Sequence, residues 1–168
     1  MQELLELIYS RRSIREYTDQ PVDDESVEAM LKAAMAAPSA DNLQPWHFVI
    51  VRNRETLDKL ADVHKYAHML KKAPLGIVVC GDQEVSKRHW VEDTCAATQN
   101  LLLAATAQGL GGVWISLYPK KKHQNSVRDL LDIPEQVGVL CMLAIGHPGE
   151  KKKPRTQYKP ERIHHGEW

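Results

Sequence analysis

The run from Trp90 to Leu110 sets the terms on which this chain can fold. It holds a helical spacing throughout, and between Cys95 and Leu110 its apolar residues go nearly all the way round, leaving no continuous solvated face. Such a helix must be covered on every side, so it belongs at the centre of the domain or in an interface between subunits. Gly109-Leu110-Gly111-Gly112 then ends it, with a glycine suited to a helix C-terminus.

The rest of the chain supplies short elements to surround that helix. Residues 3 to 11 read as a helix with Leu4, Leu7 and Ile8 on one face. After Pro21, the cluster Asp23-Asp24-Glu25-Ser26 offers a cap and first-turn acids to a second helix, whose apolar positions Val27, Met30, Leu31, Ala34 and Met35 follow the helical period until Pro38 stops it. Trp46 to Val51, rich in aromatic and β-branched residues, reads as a buried strand, Arg54 to Lys65 as an amphipathic helix, and Leu75 to Cys80 as a continuous apolar strand. Val113 to Leu117, His123 to Leu131 and Val137 to Ile145 follow as strand, helix and strand, the last the most apolar of all. Helices and strands mix without a clean βαβ alternation, which favours an α+β architecture. At 168 residues the chain suits one domain. The stretch from Glu150 to Trp168 has little apolar material of its own yet ends in Ile163 and Trp168, as a tail that wraps a neighbouring surface would.

Several function classes fall away on composition. Lys plus Arg and Asp plus Glu both number 22, so no net charge advertises a polyanionic partner, and sequence-independent nucleic-acid binding is not expected. The longest apolar runs, near Ala73 to Gly81 and Val137 to Gly146, fall short of the roughly 20 residues that span a bilayer. The first residues carry Gln2, Glu3 and Glu6 among leucines rather than a secretory leader, so the cytoplasm is expected. Cys80, Cys95 and Cys141 lie in apolar stretches with no CxxC spacing, as buried free thiols in a reducing compartment would.

Two constellations remain as candidates for binding. Arg11, Arg12, Ser13 and Arg15 put guanidinium forks and a hydroxyl within one short stretch, the groups that a phosphomonoester dianion requires. Lys151, Lys152, Lys153 and Arg155 offer a second cationic group, and either run alone also fits a solvated charge run. Pro38-Ser39-Ala40-Asp41-Asn42-Leu43-Gln44-Pro45-Trp46 lies between a helix and a strand pattern. Its carboxamides and hydroxyl suit the edge of a neutral polar ring system, while its prolines equally fit an ordinary surface turn. The glycines at 109, 111 and 112 are no dinucleotide fingerprint, because a helix precedes them and a strand follows. No histidine spacing suggests a metal site, no GxSxG surrounds a serine, and no acid, base or nucleophile set is evident. Phosphate-binding features without catalytic side chains point to a phosphorylated cofactor that brings its own chemistry.

The order Arg-Arg-Ser-x-Arg-x-Tyr, then Pro-Ser-x-x-Asn-x-Gln-Pro-Trp, then a long helix with Asp93 and Gln99-Asn100-Leu101-Leu102-Leu103-Ala104-Ala105 running into Gly109-Leu110-Gly111, then a basic tail, resembles the FMN-dependent nitroreductase family over essentially the whole chain. The resemblance implies a central, mostly antiparallel sheet flanked by helices, with the long helix in the core of a homodimer and FMN at the dimer interface. Arg11, Arg12, Ser13 and Arg15 match the segment that holds the FMN phosphate and ribityl chain, and Lys153 with Arg155 the basic pair that closes on the same phosphate. Pro38, Ser39, Ala40, Asn42 and Gln44 match a loop that reaches the flavin from the other subunit, and Ser116, Leu117 and Tyr118 lie where a strand end passes the ring and its N5.

The implied activity is two-electron transfer from NAD(P)H through FMN, by ping-pong turnover, to a nitroaromatic, quinone or similar small acceptor. The alternative is an FMN-binding protein without general reductase turnover, acting as a carrier, a sensor or a specialised flavin-consuming enzyme. The chain is short for the family, with little room between Lys72 and Trp90 for the helical excursion that longer members use in the substrate pocket. Tyr66, His68, Met69 and Trp90 lie near the expected opening, as pocket walls or as surface packing.

Overall fold

The computed structural model describes residues 2–168. Helix α1 spans Gln2–Ser10, α2 Asp24–Met35, strand β1 Trp46–Val51, α3 Arg54–Val63 and β2 Leu75–Asp82. The long helix α4 covers Trp90–Ala107, followed by β3 Gly111–Ser116, α5 Lys121–Leu131 and β4 Val137–Gly146. Local chemistry sets several of these boundaries. Asp23 accepts from the Ser26 amide at 2.6 Å and Asn53 from the Thr56 amide at 2.9 Å, each satisfying a donor that the first turn of its helix leaves free. Gly109, at a φ of 74°, turns the chain out of α4 at once. This helix therefore ends at Ala107, short of the Leu110 that the apolar pattern suggests, and α3 stops at Val63 rather than Lys65.

The four strands pair antiparallel throughout, in the order β1-β2-β4-β3. The fold is therefore α+β, with β4, the last strand in sequence, inserted between β2 and β3. All ten residues of β4 are buried, which is why it reads as one unbroken apolar run. Trp46 to Val51 does not have the buried position its composition suggests. Among the described residues it pairs with β2 alone, and His47 and Ile50, on opposite faces of the strand, are exposed.

Both sheet faces are covered. On one, α3 and α5 bring Leu57, Leu60 and Val127 over Val78, Met142 and Ala144. On the other, α2 and α4 bring Met30, Ala97 and Leu101 over Leu75, Ile77 and Leu143. Only part of α4 finds its cover within the chain: Ala97, Leu101 and Ala105 are buried, whereas Leu103 and Ala104 remain half-buried. They share a groove of about 330 Å³ with Leu4, Leu7 and Ile8 of α1, whose apolar face is largely exposed. Among the described residues no helix is long and apolar enough to cross a membrane.

Candidate functional site

The segment from Arg11 to Arg15 runs along the outer edge of β3. Ser13 makes a parallel bridge to Gly112, and the Ile14 amide donates to the Gly112 carbonyl at 3.1 Å. Close approach depends on Gly111, where an added Cβ would come within 2.7 Å of the Ile14 side chain. Tyr17 fastens the far end of the segment: its buried hydroxyl lies 2.6 Å from the Ile14 carbonyl and 2.8 Å from that of Ala144. Burial pushes this phenol well above its ordinary pKa, so it acts as a neutral tie.

The basic tail joins the same segment. Lys152 donates to the Ser13 carbonyl at 2.5 Å, an Arg12 guanidinium nitrogen donates to the Lys153 carbonyl, and the Arg155 amide donates to the Tyr9 carbonyl at 3.1 Å. Arg11, Arg12, Ser13, Arg15, Lys153 and Arg155 are thereby collected in one region, although about 140 residues separate its two halves in sequence. Burial lowers the pKa of Arg11, and the nearby charges of Arg155 and Arg12 lower it further. No carboxylate pairs with Arg11, Arg12 or Arg155 among the described residues, and the buried Nε of Arg12 has no hydrogen-bond partner. Crowded cations and an orphaned buried donor are costly unless an anion completes them, which fits the phosphate of a bound cofactor.

Arg15 faces a cleft of about 410 Å³ that opens beside the cation cluster. Trp114, Ser116 and Tyr118 form one side, and Tyr66, His68 and Met69 the other. Aromatic and thioether walls with a few polar groups suit a flat ring. The two expected residues Ser116 and Tyr118 thus line the cleft, but the Leu117 side chain is fully buried in the core between them, because side chains alternate at the strand end. Leu117 can offer a ring only its backbone. Tyr66, His68 and Met69 take up wall positions here, while Trp90 lies on an adjoining cleft.

The loop from Pro38 to Gln44 is elsewhere. It leads into β1, at the opposite edge of the sheet from β3, three strand spacings or roughly 14 Å away. Its backbone is held in an unusual form: Asp41, Asn42 and Gln44 have φ near 50°, a left-handed region that costs a non-glycine residue on the order of 1 kcal/mol or more. Ser39 Oγ accepts from the Gln44 amide at 3.0 Å, and Asp93, buried near the start of α4, accepts from the Ala40 amide at 2.9 Å and from Ser86 Oγ at 3.2 Å. Asn42 and Gln44 are exposed. Within one chain these residues do not join the cation cluster or the cleft.

Some residues of the site were not singled out in the sequence. Glu150 accepts from the Arg15 amide at 2.7 Å and pairs with Lys152 at 3.0 Å, which fixes the tail against the segment. That amide bond, then Lys152, holds its carboxyl below the ordinary range despite some desolvation. His64, Trp114 and Lys120 also line the cleft. Nothing local marks any of these four, since each is placed by packing between distant segments. Burial pushes the Cys80 thiol up to about 12 and Cys141 well above its usual value, whereas Cys95 is only half-buried, unlike the other two. Among the described residues no group of three or more potential metal ligands stands together.

Comparison with known proteins gives one consistent result. A family model described as the nitroreductase family matches residues 8–65 and 63–147. A protein of Archaeoglobus fulgidus with the provisional name NADH dehydrogenase/NAD(P)H nitroreductase is 45% identical and is aligned over 100% of both chains. An FMN-dependent nitroreductase of Clostridium difficile superposes with a TM-score of 0.92 at 31% identity, covering 98% of this chain and 99% of its own. A provisionally assigned nitroreductase of Desulfovibrio desulfuricans, crystallised in complex with FMN, superposes with a TM-score of 0.83 at 32% identity, covering 98% and 97%.

Proposed function

The chain belongs to the nitroreductase family, and on that footing we propose that it is an FMN-dependent NAD(P)H oxidoreductase acting as a homodimer. The observation that carries this reading is the buried, unpaired Arg12 Nε among cations that lack a carboxylate, set beside an aromatic-walled cleft. Arg11, Arg12, Lys153 and Arg155 would hold the phosphate, with Ser13 beside them, and Arg15 would reach toward the ring where Ser116, the Leu117 backbone and Tyr118 line its place. When bound, FMN would supply the two-electron chemistry between a nicotinamide and a nitroaromatic, quinone or similar acceptor, in ping-pong turnover. The chain's own part is to bind and orient: cations fix the phosphate, and the walls exclude water from the ring.

Pro38, Ser39, Ala40, Asn42 and Gln44 would serve the partner's flavin. The exposed apolar groove between α1 and α4, continuous with the half-covered face of the long helix, supports a subunit interface there. The tail from 150 to 168 would wrap the partner, which would cover Tyr158, Ile163 and Trp168, all exposed in the single chain. Three unpaired thiols suit the cytoplasm.

The visible spectrum of the purified protein, followed by anaerobic addition of NADH or NADPH, tests the reading. We expect a yellow protein that bleaches with a nicotinamide and regains colour with a quinone or nitroaromatic. A colourless protein would remove the flavin site; a yellow protein that neither nicotinamide bleaches would leave a flavin-holding protein without reductase turnover.

A further inference from the structure

A second cleft, of about 470 Å³, opens on the far side of Tyr118 from the first. The Tyr118 ring belongs to both, so the two clefts are neighbours across a single side chain. Trp90 forms part of its wall. The indole is fixed from behind by Gly138, where an added Cβ would come within 2.6 Å of the ring, and from the side by Tyr118, which meets it edge to face with centroids 5.4 Å apart. The cleft therefore has a rigid aromatic wall.

Its polar groups have more capacity than the fold uses. Gln124 is 9% exposed and borders the cleft, and its carboxamide makes no hydrogen bond among the described residues. Gln124 is not among the buried polar atoms left without a partner, so its amide meets solvent at the cleft and is a ready contact for a ligand there. Asn125 Oδ1 accepts from Arg128 at 2.8 Å, which leaves the Asn125 amide N–H groups open, and Gln83 adds a third carboxamide. Arg128 is otherwise committed to the Pro134 and Val137 carbonyls, whereas Lys121 and Glu135 make no ion pair among the described residues.

We infer that this cleft binds the adenosine-phosphate half of the nicotinamide dinucleotide, an inference that rests on the reductase reading above. Carboxamides match the amino and ring-nitrogen edge of adenine with paired donors and acceptors. A carboxylate suits the ribose hydroxyls, and a lysine suits a phosphate. With the nicotinamide over the flavin in the first cleft, the dinucleotide would pass Tyr118 and place its other half here. Gln124, Lys121 and Glu135 then become determinants of donor affinity that take no part in hydride transfer.

Two readouts test this on the FMN-loaded protein. Calorimetric titration with AMP should show binding to the parent, weakened about ten-fold by Gln124→Leu and by Lys121→Ala, the loss expected for one good polar contact. In steady-state assays with one acceptor, both variants should raise KM for NADH by a similar factor with kcat unchanged, while reduced nicotinamide mononucleotide, which lacks the adenosine half, should show no change. Lys121 is exposed, so its variant keeps the test sound if Gln124→Leu folds poorly. No AMP binding to the parent, or variants that change the mononucleotide and NADH alike, would overturn the inference. Bleaching by the mononucleotide reports separately on the reductase reading, so the two can fail independently.

Discussion

The segment at Arg11 to Arg15 and the loop at Pro38 to Gln44 are two polar stretches on which the proposed flavin site rests, and the fold treats them in opposite ways. The first is pinned to β3, meets the tail from Glu150 to Arg155 and borders a cleft within its own chain. The second is held just as deliberately, by Asp93 and Ser39, in a backbone with three positive φ angles, and yet faces away from that cleft at the far edge of the sheet. On the homodimer proposed above, a loop that is strained, anchored and exposed would serve the flavin site at the β3 edge of a second copy. On that proposal one region is built within a single chain and the other is lent to its partner.

The largest effect should come from the self-built half. Replacing Arg11 and Arg155 together by alanine removes two charge-assisted contacts to a phosphate, each on the order of 1.5 to 3 kcal/mol, so flavin affinity should fall by well over a hundred-fold and the protein should purify colourless. Spectra of the purified variant check this, and a yellow double variant would mean that the cations do not hold the flavin. Next is the anchor of the loop. Asp93→Ala leaves the Ala40 amide and Ser86 hydroxyl without an acceptor, and should cost roughly 1 to 3 kcal/mol in chemical denaturation while weakening flavin retention.

A smaller effect is expected of Asn42→Ala. Losing one neutral hydrogen bond, about 1 kcal/mol, should weaken flavin binding around five-fold, and the proposed dimer should persist in sedimentation because the substitution removes no apolar side chain. If the loop is only a surface turn, flavin titration will show no change. The smallest is acid sensitivity of the tail contact. Glu150 is held below its ordinary carboxyl range, chiefly by the Arg15 amide. Its contribution is therefore fully present above that range and is lost as pH falls through its folded value. Flavin release on acidification should begin at a pH set partly by Glu150, and Glu150→Gln should flatten that part of the profile.

How far the sequence reveals this arrangement depends on how local each feature is. The helices follow from periodicity, and the caps at Asp23 and Asn53 fix their starts through contacts three residues away. Strand position does not follow from strand composition: Trp46 to Val51 has the residues of a buried strand, but it lies at an edge because, among the described residues, no strand pairs with it on the side away from β2. The cations at 11 to 15 and at 153 and 155 are legible as types, while the contacts that join them, together with Glu150, are set by folding across the whole chain. The alternation that buries Leu117 between Ser116 and Tyr118 was visible in principle, since side chains at a strand end point to opposite sides. The left-handed backbone at Gln44 was not, because glutamine carries no preference for it.

In the proposed homodimer each flavin site takes its cations from one chain and its loop from the other. A tagged heterodimer between an Arg11→Ala/Arg155→Ala chain and an Asn42→Ala/Gln44→Ala chain tests this most directly. If the loop acts across the interface, one site collects all the defects and the other collects none, so the heterodimer should bind one FMN per dimer with the parent's affinity. If the loop acts within its own chain, each site keeps one defect, and no site of parental affinity will be found.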